Sequence, residues 1–77
     1  MDTRIRRFRV YDARSMGVAI REFRRTAGLT QAQLADMSGI ERSYLSRLEN
    51  GLETEQLRRV FAIFSKLGLQ VTVEQKP

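Results

Sequence analysis

Apolar positions recur at helical spacing from residue 13 onward, and near the C-terminus the period drops to two. Met16, Ile20, Phe23 and Ala27 fall at offsets of 0, 4, 7 and 11, one stripe of a helix over about 13–27. Asp12 is placed to cap it, and Arg14, Arg21 and Arg25 fall on other faces, in water. Gly17 interrupts the good helix formers at about 1 kcal/mol against alanine, which points to a neighbouring helix coming close. A second helix opens on a capping box, Thr30 with Gln33, between Leu29 and Leu34 at the staple positions. It runs through Ala35 and Met37 and breaks at Ser38-Gly39-Ile40. The third helix is expected over about 41–49, with Tyr44, Leu45 and Leu48 apolar and a stop at Asn50-Gly51. The fourth starts near Thr54, with Glu55 in its first turn. Its stripe is Leu57, Val60, Phe61, Phe64 and Leu67, widened by Ala62 and Ile63, and it ends at Gly68 after Lys66. Phe23, Phe61 and Phe64 lie on these stripes and are expected in the core.

Leu69, Val71 and Val73 then alternate with Gln70, Thr72 and Glu74, a strand with one apolar face. A lone strand cannot satisfy its backbone groups, so it must pair. Residues 7–11 hint at a short strand and could pair with it; the same residues read equally well as a flexible arm. Pairing with the same strand of a second copy is favoured, which makes Leu69, Val71 and Val73 dimerisation residues. The expected organisation is a basic N-terminal arm over 1–11, a helical domain over 12–68, and a C-terminal strand and tail over 69–77. The fold class is all-α, four helices plus this strand.

Seventy-seven residues make one domain with a thin core, which a second copy would thicken. With no Cys and no His, a disulfide framework, a Cys/His zinc site and histidine catalysis are excluded. The acidic residues form no metal-ligand pattern and no Ser sits in a nucleophile motif, so neither a cofactor, a metal nor an enzyme is expected. No apolar run is long enough to span a membrane and no signal segment opens the chain, so a cytoplasmic protein is expected. The net charge is +5, and all of the excess lies in residues 1–25, with eight Arg against three acids. Twelve of the fourteen basic residues are Arg, the type suited to forked phosphate contacts, so the partner is expected to be anionic.

The capped second helix, the short turn and the third helix have the spacing of a helix-turn-helix. Leu34, Ala35, Ile40, Leu45 and Leu48 are expected inward, with Ala35 small where the helices cross. Glu41, Arg42, Ser43, Ser46 and Arg47 are expected outward, where they offer donors, acceptors and guanidinium forks to base edges.

Residues 28–51, GLTQAQLADMSGIERSYLSRLENG, resemble the phage-repressor class, the Cro and lambda-repressor-like or XRE-type domains. Leu29-Thr30-Gln31, Leu34-Ala35, Gly39, Leu45-Ser46 and Leu48-Glu49-Asn50-Gly51 carry the resemblance, which extends over about 12–69. A strand after the last helix is similar to the HipB-type antitoxins, which dimerise partly through such a strand and repress their own operon. The resemblance implies double-stranded DNA as partner, as an inverted-repeat operator bound by a homodimer, and a HipA-type kinase toxin as a second partner. The alternative is a stand-alone phage-type or XRE-family regulator without a toxin.

The resemblance also assigns roles. Gln31 would contact a phosphate or a base edge. Arg42 and Ser43 would enter the major groove with the front of the third helix, Glu41 at its edge, and Arg47 would reach a base or a phosphate one turn later. Asn50 would hold phosphate. Arg24 and Glu49 would pair inside the domain. Position 41 often carries a short capping side chain in such proteins; Glu is a poor cap and could accept from cytosine N4 or brake non-specific binding. Tyr44 fits either the core edge or the sugar-phosphate backbone. The Arg4, Arg6, Arg7, Arg9 cluster fits a minor-groove arm, a phosphate anchor, a toxin-contacting segment or a solvated tail.

Overall fold

The computed structural model describes residues 6–76. The order is β1 (Arg7–Val10), α1 (Ala13–Thr26), α2 (Gln31–Ser38), α3 (Arg42–Glu49), α4 (Glu55–Lys66) and β2 (Val71–Glu74). Each helix start except that of α3 is fixed by a side chain. Asp12 accepts from the Ser15 amide at 2.8 Å, and Ser15 Oγ accepts from the Asp12 amide at 3.1 Å. The Ser15 amide bond holds the Asp12 carboxyl below its ordinary value, against a smaller opposing effect of burial. Thr30 and Gln33 form the reciprocal box expected of them, at 3.0 and 2.8 Å. Thr54 Oγ1 accepts from the Leu57 amide at 3.1 Å. Glu41 stands at the α3 cap without a side-chain bond, as its length suggests.

Small residues set the helix spacing. Three of the five buried apolar residues among those described are alanines, Ala13, Ala19 and Ala35; the others are Val10 and Leu45. Gly17 is where α1 meets α3. A Cβ built there would run into the carbonyl oxygens of Leu48 and Glu49. Between α2 and α3 the chain turns at Gly39, with φ 70°, and the Ile40 amide returns to the Ala35 carbonyl at 3.0 Å.

Two expectations need correction. The C-terminal strand does not lack a partner in its own chain. β1 and β2 pair antiparallel, with Phe8 opposite Val73 and Val10 opposite Val71. Residues 7–10 are therefore a strand and not a free arm. Period-two alternation places Phe8, Val10, Val71 and Val73 on one face, and Val10 and Val73 line an apolar cleft with Met16, Ala19, Ile20 and Phe23 of α1. Arg7 Nε meets Glu74 Oε1 across the strands at 2.6 Å. Arg6 lies over the rings of Phe8 and Phe23, stands 3.8 Å from Glu22, and donates to the Thr26 hydroxyl. Arg4 lies outside the described residues.

The second correction concerns the phenylalanines. Phe23, Phe61 and Phe64 are half-buried and not enclosed. No residue of α4 is buried, and Ile63 and Leu67 are 57% and 66% exposed. Half of the α4 stripe therefore faces away from the domain.

Candidate nucleic-acid interface

α3 packs against α1 and α2 and keeps its polar side free. The side chains of Glu41, Arg42, Ser43 and Arg47 are exposed, Ser46 is half-buried, and none of the five hydrogen-bonds another described residue. Arg42 and Ser43 open the first turn, and Arg47 follows one turn later, so the three present two guanidiniums and a hydroxyl along the helix. Leu45 is buried behind them and Ala35 of α2 is 2% exposed, so α3 is seated by its apolar side. Tyr44 is 43% exposed, at the margin between the two faces.

The back of α3 is held by one carboxylate. Glu49 is 2% exposed and takes a forked pair from Arg24, Nε to Oε2 at 2.6 Å and Nη2 to Oε1 at 2.9 Å. The third nitrogen of Arg24 donates to the Leu29 carbonyl at 2.9 Å and ties the loop before α2 to the same point. The Arg24 hydrogen bonds hold Glu49 below its ordinary carboxyl value, outweighing the burial that pushes it up; a bond from Gln31 adds to the lowering. The internal pair expected of Arg24 and Glu49 is present.

Two further groups join it that sequence reasoning missed. Gln31 Nε2 donates to Glu49 Oε1 at 3.2 Å, so this half-buried side chain belongs partly to the ion cluster. Arg21, expected in water, donates through Nη2 to Asn50 Oδ1 at 2.9 Å, and its Nε lies 3.6 Å from Glu49 Oε1. No local signal marks either contact, since the partners lie 18 and 29 residues away in sequence. The structure thus gathers Gln31, Asn50, Arg24 and Glu49 at one end of α3 and leaves Arg42, Ser43 and Arg47 along its free side. Leu69, Val71 and Val73 belong to neither group and lie in and just before β2.

A capped helix, a glycine turn, and a second helix locked from behind with its polar side free are the parts of a major-groove reader. A family model described as Helix-turn-helix, HTH_3, matches residues 20–72. The chain belongs to this XRE-type helix-turn-helix family. It is a DNA-binding domain of the lambda-repressor-like architecture. No curated protein and no solved structure matches the chain. The family match begins within α1 and ends inside β2, so β1 and the first half of α1 lie outside it. Among the described residues no helix is long and apolar enough to cross a membrane.

Proposed function

We propose that this helix-turn-helix protein is a sequence-specific repressor that binds an inverted-repeat operator as a homodimer, and that it is the antitoxin of a HipBA-type pair which autoregulates its operon. The observation that carries the DNA reading is the unengaged row of Arg42, Ser43 and Arg47 on a helix whose opposite side is fixed by Leu45 and Glu49. Side chains free to pair, on a helix that is not free to move, suit direct reading of base edges. On this reading Asn50 and Gln31, at the helix ends, set the register against phosphates.

The apolar surface of α4 supports the homodimer: Val60 and Ile63, with Leu67 and Leu69 just beyond the helix, are all exposed. The antitoxin role rests on a strand following the last helix, the arrangement that resembles HipB.

Selection of binding sites from a random duplex pool at physiological salt tests the reading. The expected product is an inverted repeat with half-sites about 34 Å, one helical turn, apart. Arg42→Ala should relax one position of that repeat at a cost of about 1–3 kcal/mol. A pool with no enriched sequence would overturn sequence-specific repression. A kinase-sized chain co-purifying from the native cell is the result expected of an antitoxin; its absence favours a stand-alone regulator.

A further inference from the structure

Arg21 lies off the apolar stripe of α1, and one side of its guanidinium is engaged. Nη2 donates to Asn50 Oδ1 at 2.9 Å and reaches the Glu49 backbone carbonyl at 3.4 Å. A guanidinium only donates. The Asn50 atom facing it must therefore be the carbonyl oxygen, which removes the usual ambiguity of an amide. What remains of Asn50 is its NH2 group, two donors on an exposed residue. Nη1 of Arg21 has no hydrogen-bond partner among the described residues.

Charge points the same way. Arg24 and Glu49 cancel as a forked pair whose side chains are 10% and 0% exposed. Arg21 is then the surplus cation of the three, and its side chain is 34% exposed. It sits at the C-terminal end of α3, where the helix dipole and the terminal carbonyls would repel an anion. A cation and an outward amide at a pole that would otherwise repel make a local site for a phosphate oxygen.

We propose that Arg21 and Asn50 form a clamp for one DNA phosphate, in which Arg21 supplies charge and also positions the Asn50 amide with its donors outward. The inference rests on the DNA-binding reading. It adds a contact on α1, outside the helix-turn-helix itself, and gives Asn50 a defined polarity.

The test measures duplex binding by fluorescence anisotropy across a salt series, on the selected operator. Wild-type protein, Arg21→Met, Arg21→Lys, Asn50→Ala, Asn50→Asp and the Arg21→Met/Asn50→Ala double variant are compared. Loss of one phosphate contact should lower the slope of log K against log salt by about 0.9 in Arg21→Met. Arg21→Lys should keep the slope. Asn50→Ala should weaken binding about tenfold in the wild-type background and less than about twofold once Arg21 is gone. Asn50→Asp can still accept from Arg21 but offers no donor, so it should bind worse than Asn50→Ala with its urea midpoint retained. Base preference should be unchanged throughout, because a phosphate contact reads no sequence. Additive effects, an unchanged slope in Arg21→Met, or full binding by Asn50→Asp would each overturn the clamp while leaving DNA binding intact. Failure of the wild-type protein to bind any duplex would overturn the DNA reading, and the clamp with it.

Discussion

Glu49 is a carboxylate with 2% of its surface exposed, in a chain that carries twelve arginines. A buried ion pair is weak evidence of net stabilisation, since apolar residues could fill the same space. Removing one partner is a different matter, because the other charge is left without its acceptor. Here three side chains depend on the one carboxylate: Arg24 and Arg21 of α1, and Gln31 at the start of α2. Glu49→Gln should lower the melting temperature at neutral pH by more than about 10 °C, taking about 3–5 kcal/mol for a broken buried pair and roughly 4–8 °C per kcal/mol for a chain of this size. The pH dependence has a fixed sign. Glu49 titrates lower in the folded state than its ordinary 4.5, so its contribution is complete above that value. It is lost as the pH falls through the depressed folded value. The gap in melting temperature between wild type and Glu49→Gln should therefore hold from pH 7 to about pH 5 and narrow toward pH 3. A gap that stays constant to pH 3 would mean that the carboxylate is not held charged by its partners. Of this cluster only the Arg24–Glu49 pair was legible in the sequence, and only through family resemblance. Arg21 and Gln31 are polar residues on helix surfaces, and no periodicity separates a solvated guanidinium from one turned toward a helix end.

At the scale of elements, legibility follows sequence distance. The caps at Asp12, Thr30 and Thr54 were readable because each bond spans three residues. The close approach at Gly17 was readable as a defect, a helix breaker with no turn to explain it. The β1–β2 pairing was only one of two open choices, because Phe8 and Val73 are joined by nothing local and four residues of alternation in a basic segment fit an arm as well. The Gly17 contact gives two opposing terms that can be compared. Alanine in a helix interior gains about 1 kcal/mol over glycine. Against that, its Cβ would press on two backbone carbonyls of α3, which cannot rotate away as a side-chain tip can. Overpacking of this kind costs about 1–3 kcal/mol or more. The clash should win, so Gly17→Ala is expected to lose stability in urea unfolding despite its better propensity. Any displacement of α3 would carry Arg42 and Arg47 with it, so operator affinity should fall as well. A variant more stable than wild type would show that α1 and α3 can separate at no cost.

At the scale of the whole molecule, α4 is the one helix among the described residues with no buried residue, and Val60, Ile63 and the following Leu67 are exposed along it. The α4 pattern was legible as an apolar stripe, but a sequence does not say whether the surface that covers a stripe belongs to the same chain. Val60, Ile63 and Leu67 recur at three and four residues along one side of α4, and Leu57, Phe61 and Phe64 occupy the half-buried side. This division sets the test of the homodimer. Deleting residues 69–77 would be ambiguous, because it also strips β1 of its partner. A charge on the exposed side of α4 removes no intrachain contact of a buried residue. Ile63→Glu and Leu67→Glu are therefore expected to shift the mass in sedimentation equilibrium from dimer toward monomer. The wild-type melting temperature should rise with protein concentration, as it must when folding and association are linked, and the two variants should lose that dependence. Monomeric variants should bind a single half-site as the wild-type domain does, but lose the gain in operator affinity that comes from joining two half-sites. If both glutamate variants sediment as the wild type does, the apolar side of α4 is not the surface that joins two copies.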